Sequence, residues 1–241
     1  MSKLPLIPTI TVCFVLLMTI TAGCKSKQPE QPAPVQTPVL TGPEILSKSS
    51  QQMQTLNSYH FVLEQVGGGT PLGTGLEMKK ASGDIVRPDK LQTTISGTFS
   101  GMALEVQLVS VGGKTLMTNP LNGNWEEPPA QFNVLGLFDP NTGIAAIMNG
   151  VTNVTRLDDV NSSGVLSYHL SGNVNSEALS PITGSSIKGT AIGVEVWIGQ
   201  SDLFVRNIQL TGRITETEVP GIVRTLTLSN FNGPISIELP K

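Results

Sequence analysis

The residue with the most definite chemistry in this sequence is Cys24, which directly follows the three small residues Thr21-Ala22-Gly23. Lys3 gives the chain a positive start, and the stretch from Leu4 to Ile20 is apolar apart from a few Thr and Pro residues. That order is the pattern of a secretory signal whose small residues precede the cleavage site. A Cys immediately after such a site is where a thioether-linked diacylglycerol is attached. Cys24 is therefore expected as a lipid-attachment residue rather than a redox group. The pattern departs from the usual one three residues before the Cys, where Thr21 stands in place of the common Leu, with Ile20 beside it. The apolar stretch is short and interrupted by Pro5 and Pro8, which fits a signal better than a spanning helix.

Other candidate chemistry is sparse. The chain holds two His, His60 and His169, and both fall on strand faces opposite an apolar set. Each is expected as a solvent-facing strand residue rather than a base or ligand. Asp158-Asp159 lacks the flanking oxygen-rich run of a calcium loop and is expected as a turn. Neither a Gly-x-Ser-x-Gly elbow, a His-Glu-x-x-His pair nor a Gly-x-x-x-x-Gly-Lys-Ser/Thr phosphate loop occurs. Hydrolysis by a side-chain nucleophile needs a base within reach, and the inventory offers no such pair. Neither catalysis nor a metal or other cofactor is expected.

Cysteine and charge usage narrow the classes further. Of the two Cys, Cys13 lies in the apolar leader and Cys24 is taken by lipid, so neither a disulfide framework nor a Cys metal site is available. Charged residues are 14% of the chain, against roughly a quarter in ordinary soluble proteins. The formal net charge of −3 provides no electrostatic footprint for nucleic acid and no polybasic patch for anionic lipid. Membrane attachment is expected through the acyl chains on Cys24, because two or more chains hold stably where one does not.

The elements that must position any site begin after a linker. Lys25–Val39 reads KSKQPEQPAPVQTPV, a solvated tether that can extend roughly 45 Å at polyproline pitch. Residues 1–23 are thus expected as signal, 24–42 as lipidated Cys and tether, and 43–241 as one domain. Thr41-Gly42-Pro43-Glu44 predicts a capping box, followed by a helix to about Leu56 with Ile45, Ser49, Met53 and Leu56 on one stripe. The period then changes to two. Tyr59, Phe61 and Leu63 alternate with His60, Val62 and Glu64, and similar runs follow at Leu76–Met78, Leu91–Ile95 and Leu104–Leu108. Turn signals stand at Gly67-Gly68-Gly69, Ser82-Gly83-Asp84, Pro88-Asp89, Ser100-Gly101 and Gly112-Gly113.

A helical interlude is predicted in the middle, with Phe132, Leu135 and Phe138 at spacings of three and Asp139-Pro140 opening a second short helix. Its apolar face is Ile144, Ile147, Met148 and Val151. Strands resume at Val151–Leu157 and Val165–Val174, and a short helix follows around Ser176–Thr183. Three more strands, Ile192–Ile198, Leu203–Ile214 and Ile222–Phe231, precede a tail strand at Ile235–Leu239. Roughly ten antiparallel strands with one apolar face need cover, and the helices are few and short. Either they seal a filled core or they roof a lined cavity, and the pattern leaves both open.

Several segments resemble the LppX/LprAFG family of mycobacterial-type lipoproteins, in order and at similar spacing. They are Ser58-Tyr59-His60-Phe61, Gly83-Asp84-Ile85-Val86-Arg87-Pro88-Asp89-Lys90, Gly112-Gly113-Lys114, Trp125 and Phe138-Asp139-Pro140. Val194-Glu195-Val196-Trp197-Ile198-Gly199 and Leu226-Thr227-Leu228-Ser229-Asn230-Phe231-Asn232, before Pro234-Ile235, complete the set. The resemblance covers residues 43–241. It implies an α+β fold, a U-shaped antiparallel half β-barrel with short helices on its concave face enclosing a large hydrophobic cavity. That fold is also similar to the LolA/LolB carriers. It further implies binding of an acylated lipid or glycolipid and its carriage from the plasma membrane into the cell envelope. A membrane transporter is a candidate partner, and a monomer is expected.

On that basis the cavity wall is expected from Phe61, Leu63, Leu76, Met78, Ile95, Leu104, Val106, Val194, Val196, Leu226 and Leu228 on the sheet. Ile144, Ile147 and Met148 would face them from the helices, with Phe132, Leu135 and Phe138 at the mouth. Two alternatives stay open: a surface lipoprotein with a filled core that binds a protein partner, and a chaperone for lipoproteins. Replacing Cys24→Ser should move the chain from the membrane fraction to the soluble exported fraction and remove the acyl mass from its N-terminal peptide. Fractionation with mass spectrometry checks both.

Overall fold

A computed structural model of the chain describes residues 39–71, 76–128, 143–162, 164–183 and 185–240. Cys24 and the tether up to Pro38 lie outside the described residues, as do Phe132, Leu135, Phe138 and the Asp139-Pro140 helix start. The described part begins with helix α1 (Gly42–Gln54), with Thr41 at its N-cap. The Glu44 carboxylate accepts the backbone N–H of Thr41 at 2.8 Å and its hydroxyl at 2.7 Å. These bonds hold the Glu44 carboxyl below the usual carboxylate range and fix the direction in which the chain enters the helix. Ile45, Leu46, Ser49, Ser50 and Met53 form the buried face, spaced as a helical stripe requires.

Thirteen strands follow. They are β1 (Ser58–Val66), β2 (Thr70–Pro71), β3 (Leu76–Val86), β4 (Lys90–Phe99), β5 (Met102–Val111), β6 (Lys114–Thr118) and β7 (Trp125–Glu126). After helix α2 (Ile144–Asn149) come β8 (Thr152–Arg156), β9 (Val160–Ser162) and β10 (Val165–Asn175). A 3-10 turn (Ser176–Leu179) runs into the four-residue helix α3 (Ser180–Thr183), and β11 (Ala191–Gly199), β12 (Val205–Thr211) and β13 (Val223–Ser229) complete the set. All pairings are antiparallel, in the order β7-β6-β5-β4-β3-β1-β13-β12-β11-β10-β8, with β2 beside β3 and β9 beside β10. The sheet is open, with β7 and β8 at its edges. Four strands were not anticipated, β6 and the two- or three-residue β2, β7 and β9, while the expected tail strand does not form.

Two runs of successive hairpins meet at β1. The first strand of the domain lies between β3 and the last strand, β13, with Phe61 opposite Leu228 and Val66 opposite Val223. This one long-range pairing joins the two halves. Two-residue turns at Ser100-Gly101 and Gly112-Gly113 place both central residues at positive φ, the twist that tight hairpins require. The core is one continuous cluster between the concave face of the sheet and the helices. Phe61, Leu91, Ile95, Leu108, Ile192, Ile198 and Leu228 meet Ile45, Met53 and Met148 there.

Two expectations are corrected. Ser82-Gly83-Asp84 is not a turn, since β3 runs through it and pairs Gly83 with both Phe61 and Thr93. Gly83 is required by close approach: a Cβ there would lie 2.1 Å from the Gln92 carbonyl oxygen and 2.7 Å from the Thr93 Cα. The tail after Asn232 forms no strand. Asn230 and Asn232 have positive φ, Pro234 has no N–H to give to a ladder, and the segment is held by single bonds instead. Asn232 N–H donates to the Ser58 carbonyl at 2.8 Å and the Ser58 hydroxyl donates to the Gly233 carbonyl at 2.9 Å, while Ile237 is buried. Gly83→Val should lower unfolding free energy by about 2–3 kcal/mol, because the neighbour it meets is backbone and cannot swing aside. Urea denaturation followed by circular dichroism measures it.

Candidate functional site

The site lies toward one end of the sheet. β1 and β12 finish at this end and β3 and β13 start at it, as their registers require. Inward side chains of these strands share a cavity with residues of α2 and of the Ser176–Thr183 helices. Leu63, Met78, Ile208, Leu210 and Leu226 from the sheet, with Ile144 and Ile147 of α2 and Leu179, surround an apolar cavity of about 60 Å³. Thr70, Thr183, Ile214 and Arg224 complete its wall. β12 contributes Ile208 and Leu210 and β13 contributes Arg224 and Leu226, every second residue, the consequence of a two-residue period with one apolar face.

The sequence-predicted wall residues divide into two groups. Leu63, Met78, Ile144, Ile147 and Leu226 come together around the cavity. Phe61, Ile95, Val106, Met148, Val194, Val196 and Leu228 lie in the same core cluster, which also includes Met78, Ile144, Ile147 and Leu226, but do not line the cavity, and Leu104 packs at the cluster's margin. Leu76 begins β3, and its side chain lies outside the described part. The sequence reasoning did not single out Ile208 and Leu210, although they continue the inward alternation of β12, nor Leu179, Thr183, Thr70 and Ile214. It also missed Arg224, and here a signal was present. Ile222, Arg224, Leu226 and Leu228 alternate inward, so a cation at the second position is a charge on the core face.

The enclosed volume is small. Acyl chains occupy sites of several hundred cubic ångströms, whereas the described walls enclose about 60 Å³. The reason is visible in α2, whose Ile144, Ile147 and Met148 are buried against the sheet and fill the space. An apolar void in water forfeits packing contacts, so an empty site of this composition closes on itself.

Beside the cavity lies a buried ion pair. Arg224 Nη2 pairs with Glu218 Oε1, and both residues are 4% exposed. Arg224 also donates from Nη1 to the Gly212 carbonyl at 3.0 Å and from Nε to the Thr70 hydroxyl at 3.4 Å. Glu218 Oε2 accepts the backbone N–H of Ile214 at 2.7 Å and of Thr215 at 3.2 Å. The pair thus ties β13 to the β12–β13 loop and to β2, holding together the end of the sheet where the cavity sits.

The other candidate groups lie elsewhere and are paired. His60 Nδ1 lies 2.8 Å from Asp84 Oδ1. His169 Nε2 lies 2.7 Å from Glu195 Oε2 and its ring stacks on Trp197 at 4.5 Å. Asp159 accepts from Arg156 and Gln200. Among the described residues, no three His, Cys, Asp or Glu side chains gather as a metal site would need.

Glu218→Leu leaves the Arg224 guanidinium without its counter-charge and should cost about 3–5 kcal/mol of stability. Adding Arg224→Met should restore most of that loss, because a buried pair exchanged for apolar bulk is close to neutral. Urea midpoints of the two variants provide the comparison.

Comparison with known proteins follows the same architecture. Crystal structures of LprF from Mycobacterium bovis and LppX from Mycobacterium tuberculosis superpose with TM-scores of 0.64 and 0.59, each at 17% identity. They cover 83% and 81% of this chain and 96% and 99% of their own. In sequence, the protein named lipoarabinomannan carrier protein LprG from Mycobacteroides abscessus is 26% identical over 239 residues, spanning 99% of this chain and 97% of its own length. The protein of that name from Mycolicibacterium smegmatis is 23% identical, with 94% of each chain covered. The family model for LppX_LprAFG lipoproteins matches residues 42–237. The chain belongs to the LppX/LprAFG lipoprotein family.

Proposed function

We propose that this protein is an exported lipoprotein that holds acyl chains of a lipid or glycolipid between its sheet and helices. It carries them from the plasma membrane into the cell envelope. Residues 1–23 direct export, Cys24 carries the anchor, and residues 24–42 let the domain from Pro43 onward move away from the bilayer without leaving it. The observation that carries the proposal is the apolar cavity where the sheet meets α2 and the Ser176–Thr183 helices. The LprG relatives, named as lipoarabinomannan carriers, support the ligand class.

The physics of carriage follows from the wall. Each methylene removed from water is worth about 0.8 kcal/mol, so a chain of ordinary length leaves the bilayer only for a site of comparable apolarity. The closed cavity is the unloaded state of such a site. Opening it requires α2 to lift from the sheet, and α2 suits this. Six residues are too few for a helix to be stable by itself, and its polar tie to α1 is the bond from the Ser50 hydroxyl to the Ala145 carbonyl, 3.2 Å long. Sheet residues that already face the cavity then become the wall without rearrangement. The chemistry proposed is binding, with no catalytic step and no cofactor.

The test is to fill the cavity covalently. Leu210→Trp or Met78→Trp should reduce binding of a fluorescent acyl probe at least tenfold while the melting midpoint shifts by only a few degrees. A protein with a permanently filled core and a protein partner would bind no probe before substitution, and the same changes would cost about 1–3 kcal/mol of stability.

A further inference from the structure

The end of the sheet that holds the cavity also carries large apolar side chains in the open. The β4–β5 hairpin presents Phe99 and Met102, 45% and 66% exposed, on either side of its Ser100-Gly101 turn. They are cross-strand partners and continue the inward stripes of Leu91, Thr93, Ile95 and of Leu104, Val106, Leu108 beyond their cover. A second tip stands at the end of β1 and in the β12–β13 loop, where Val66 is 72% and Val219 46% exposed. Val219 rests on the β1–β2 loop, its Cγ2 2.7 Å from where a Cβ on Gly68 would be. Leu63, Thr70, Met78, Leu210, Ile214 and Arg224 of the cavity wall belong to the same strand ends and loops.

We propose that these two tips are the edge by which the domain enters the surface of a lipid bilayer, so that acyl chains pass between membrane and cavity without crossing water. The proposal rests on the carrier reading above and specifies its membrane-facing end. Two separate tips supply far less than the roughly 800 Å² that a stable protein interface takes from each partner. A bilayer asks only for apolar side chains on a closed turn. The length of chain ahead of the domain fits the same occupant. Fourteen residues lie between Cys24 and Val39, and at polyproline pitch the span from one to the other reaches roughly 45 Å. A domain of this size is roughly 40–45 Å across. The tether therefore lets this end of an anchored domain meet the bilayer, although the chain enters the domain at α1, where the Leu40 carbonyl accepts from Arg156 at 3.1 Å. Near the β1 tip Lys80 pairs with Glu64 at 2.8 Å, which leaves that pair without net charge.

The experiment uses the full chain, recovered with its anchor and reconstituted into phosphatidylcholine vesicles. The described domain contains no Cys, so single labelling sites are made by Met102→Cys, Val219→Cys and, at the opposite end of the sheet, Leu166→Cys. Brominated lipids should quench fluorophores at 102 and 219 several-fold more than one at 166; equal quenching at all three, or none, overturns the proposal. Phe99→Asp with Met102→Asp should slow transfer of a labelled lipid between vesicles at least tenfold and leave uptake of that lipid from detergent micelles within twofold. Loss of both to the same extent places these residues in cavity function and overturns the membrane edge. If the unaltered chain takes up no lipid from micelles, the carrier reading fails, and the edge stands or falls on the quenching alone.

Discussion

One apolar face shared by eleven neighbouring strands must be kept from water, and the described residues include little helix to cover it. Among the described residues the cover is α1, α2 and the Ser176–Thr183 pair, and only α1 is longer than six residues. α1 is pinned at its start by Thr41 and Glu44 and along its length by bonds such as that from the Ser49 hydroxyl to the Leu203 carbonyl at 2.7 Å. It therefore closes the part of the face beneath it as an ordinary core. The rest falls to two short helical pieces that have little stability of their own. On the proposed function, this second cover is the part that a ligand displaces, and a ligand that replaces it must be as apolar as what it displaces.

The sheet must not give way when its cover does. The β1–β13 pairing makes the first and last strands neighbours, so the open sheet is one continuous ladder from β7 to β8. At the loose end, Arg224 and Glu218 bind the β12–β13 loop to β2 and β13 by hydrogen bonds to Gly212, Thr70, Ile214 and Thr215. A buried pair of this kind contributes little net stability compared with apolar packing. It does fix geometry beside an apolar cavity, where hydrophobic contacts alone would let the loop collapse inward.

Much of this arrangement was legible in the residues. Thr41 and Glu44 marked the helix start, the alternation of Tyr59, Phe61 and Leu63 gave the inward face of β1, and Ser100-Gly101 and Gly112-Gly113 marked tight hairpins. Local rules failed where a distant neighbour decided. Gly83 has the composition of a turn, but the backbone of β4 passes so close that only Gly fits within the strand. Ile235–Leu239 alternates like a strand, yet the positive φ at Asn230 and Asn232 turns it away from the ladder. In the site, alternation identified inward residues without saying which of them lie under α1. Phe61 and Leu63 share one face of one strand, yet Phe61 is in the core and Leu63 on the cavity. That distinction depends on where the helices end, which no local pattern encodes. The resemblance to the LppX/LprAFG family was carried by ordered short segments, which among the described residues fall at the start of β1, the β3–β4 and β5–β6 turns and the ends of β11 and β13.

The central claim is that the loose half of the core holds lipid. Native mass spectrometry of residues 39–241 made in cells, followed by organic extraction, tests it most directly. Acyl lipid retained at near one molecule per chain, lost on delipidation and regained on exposure to the extracted lipid, is the predicted result. A stably folded chain that emerges lipid-free and stays so when acyl lipid is supplied would contradict the account.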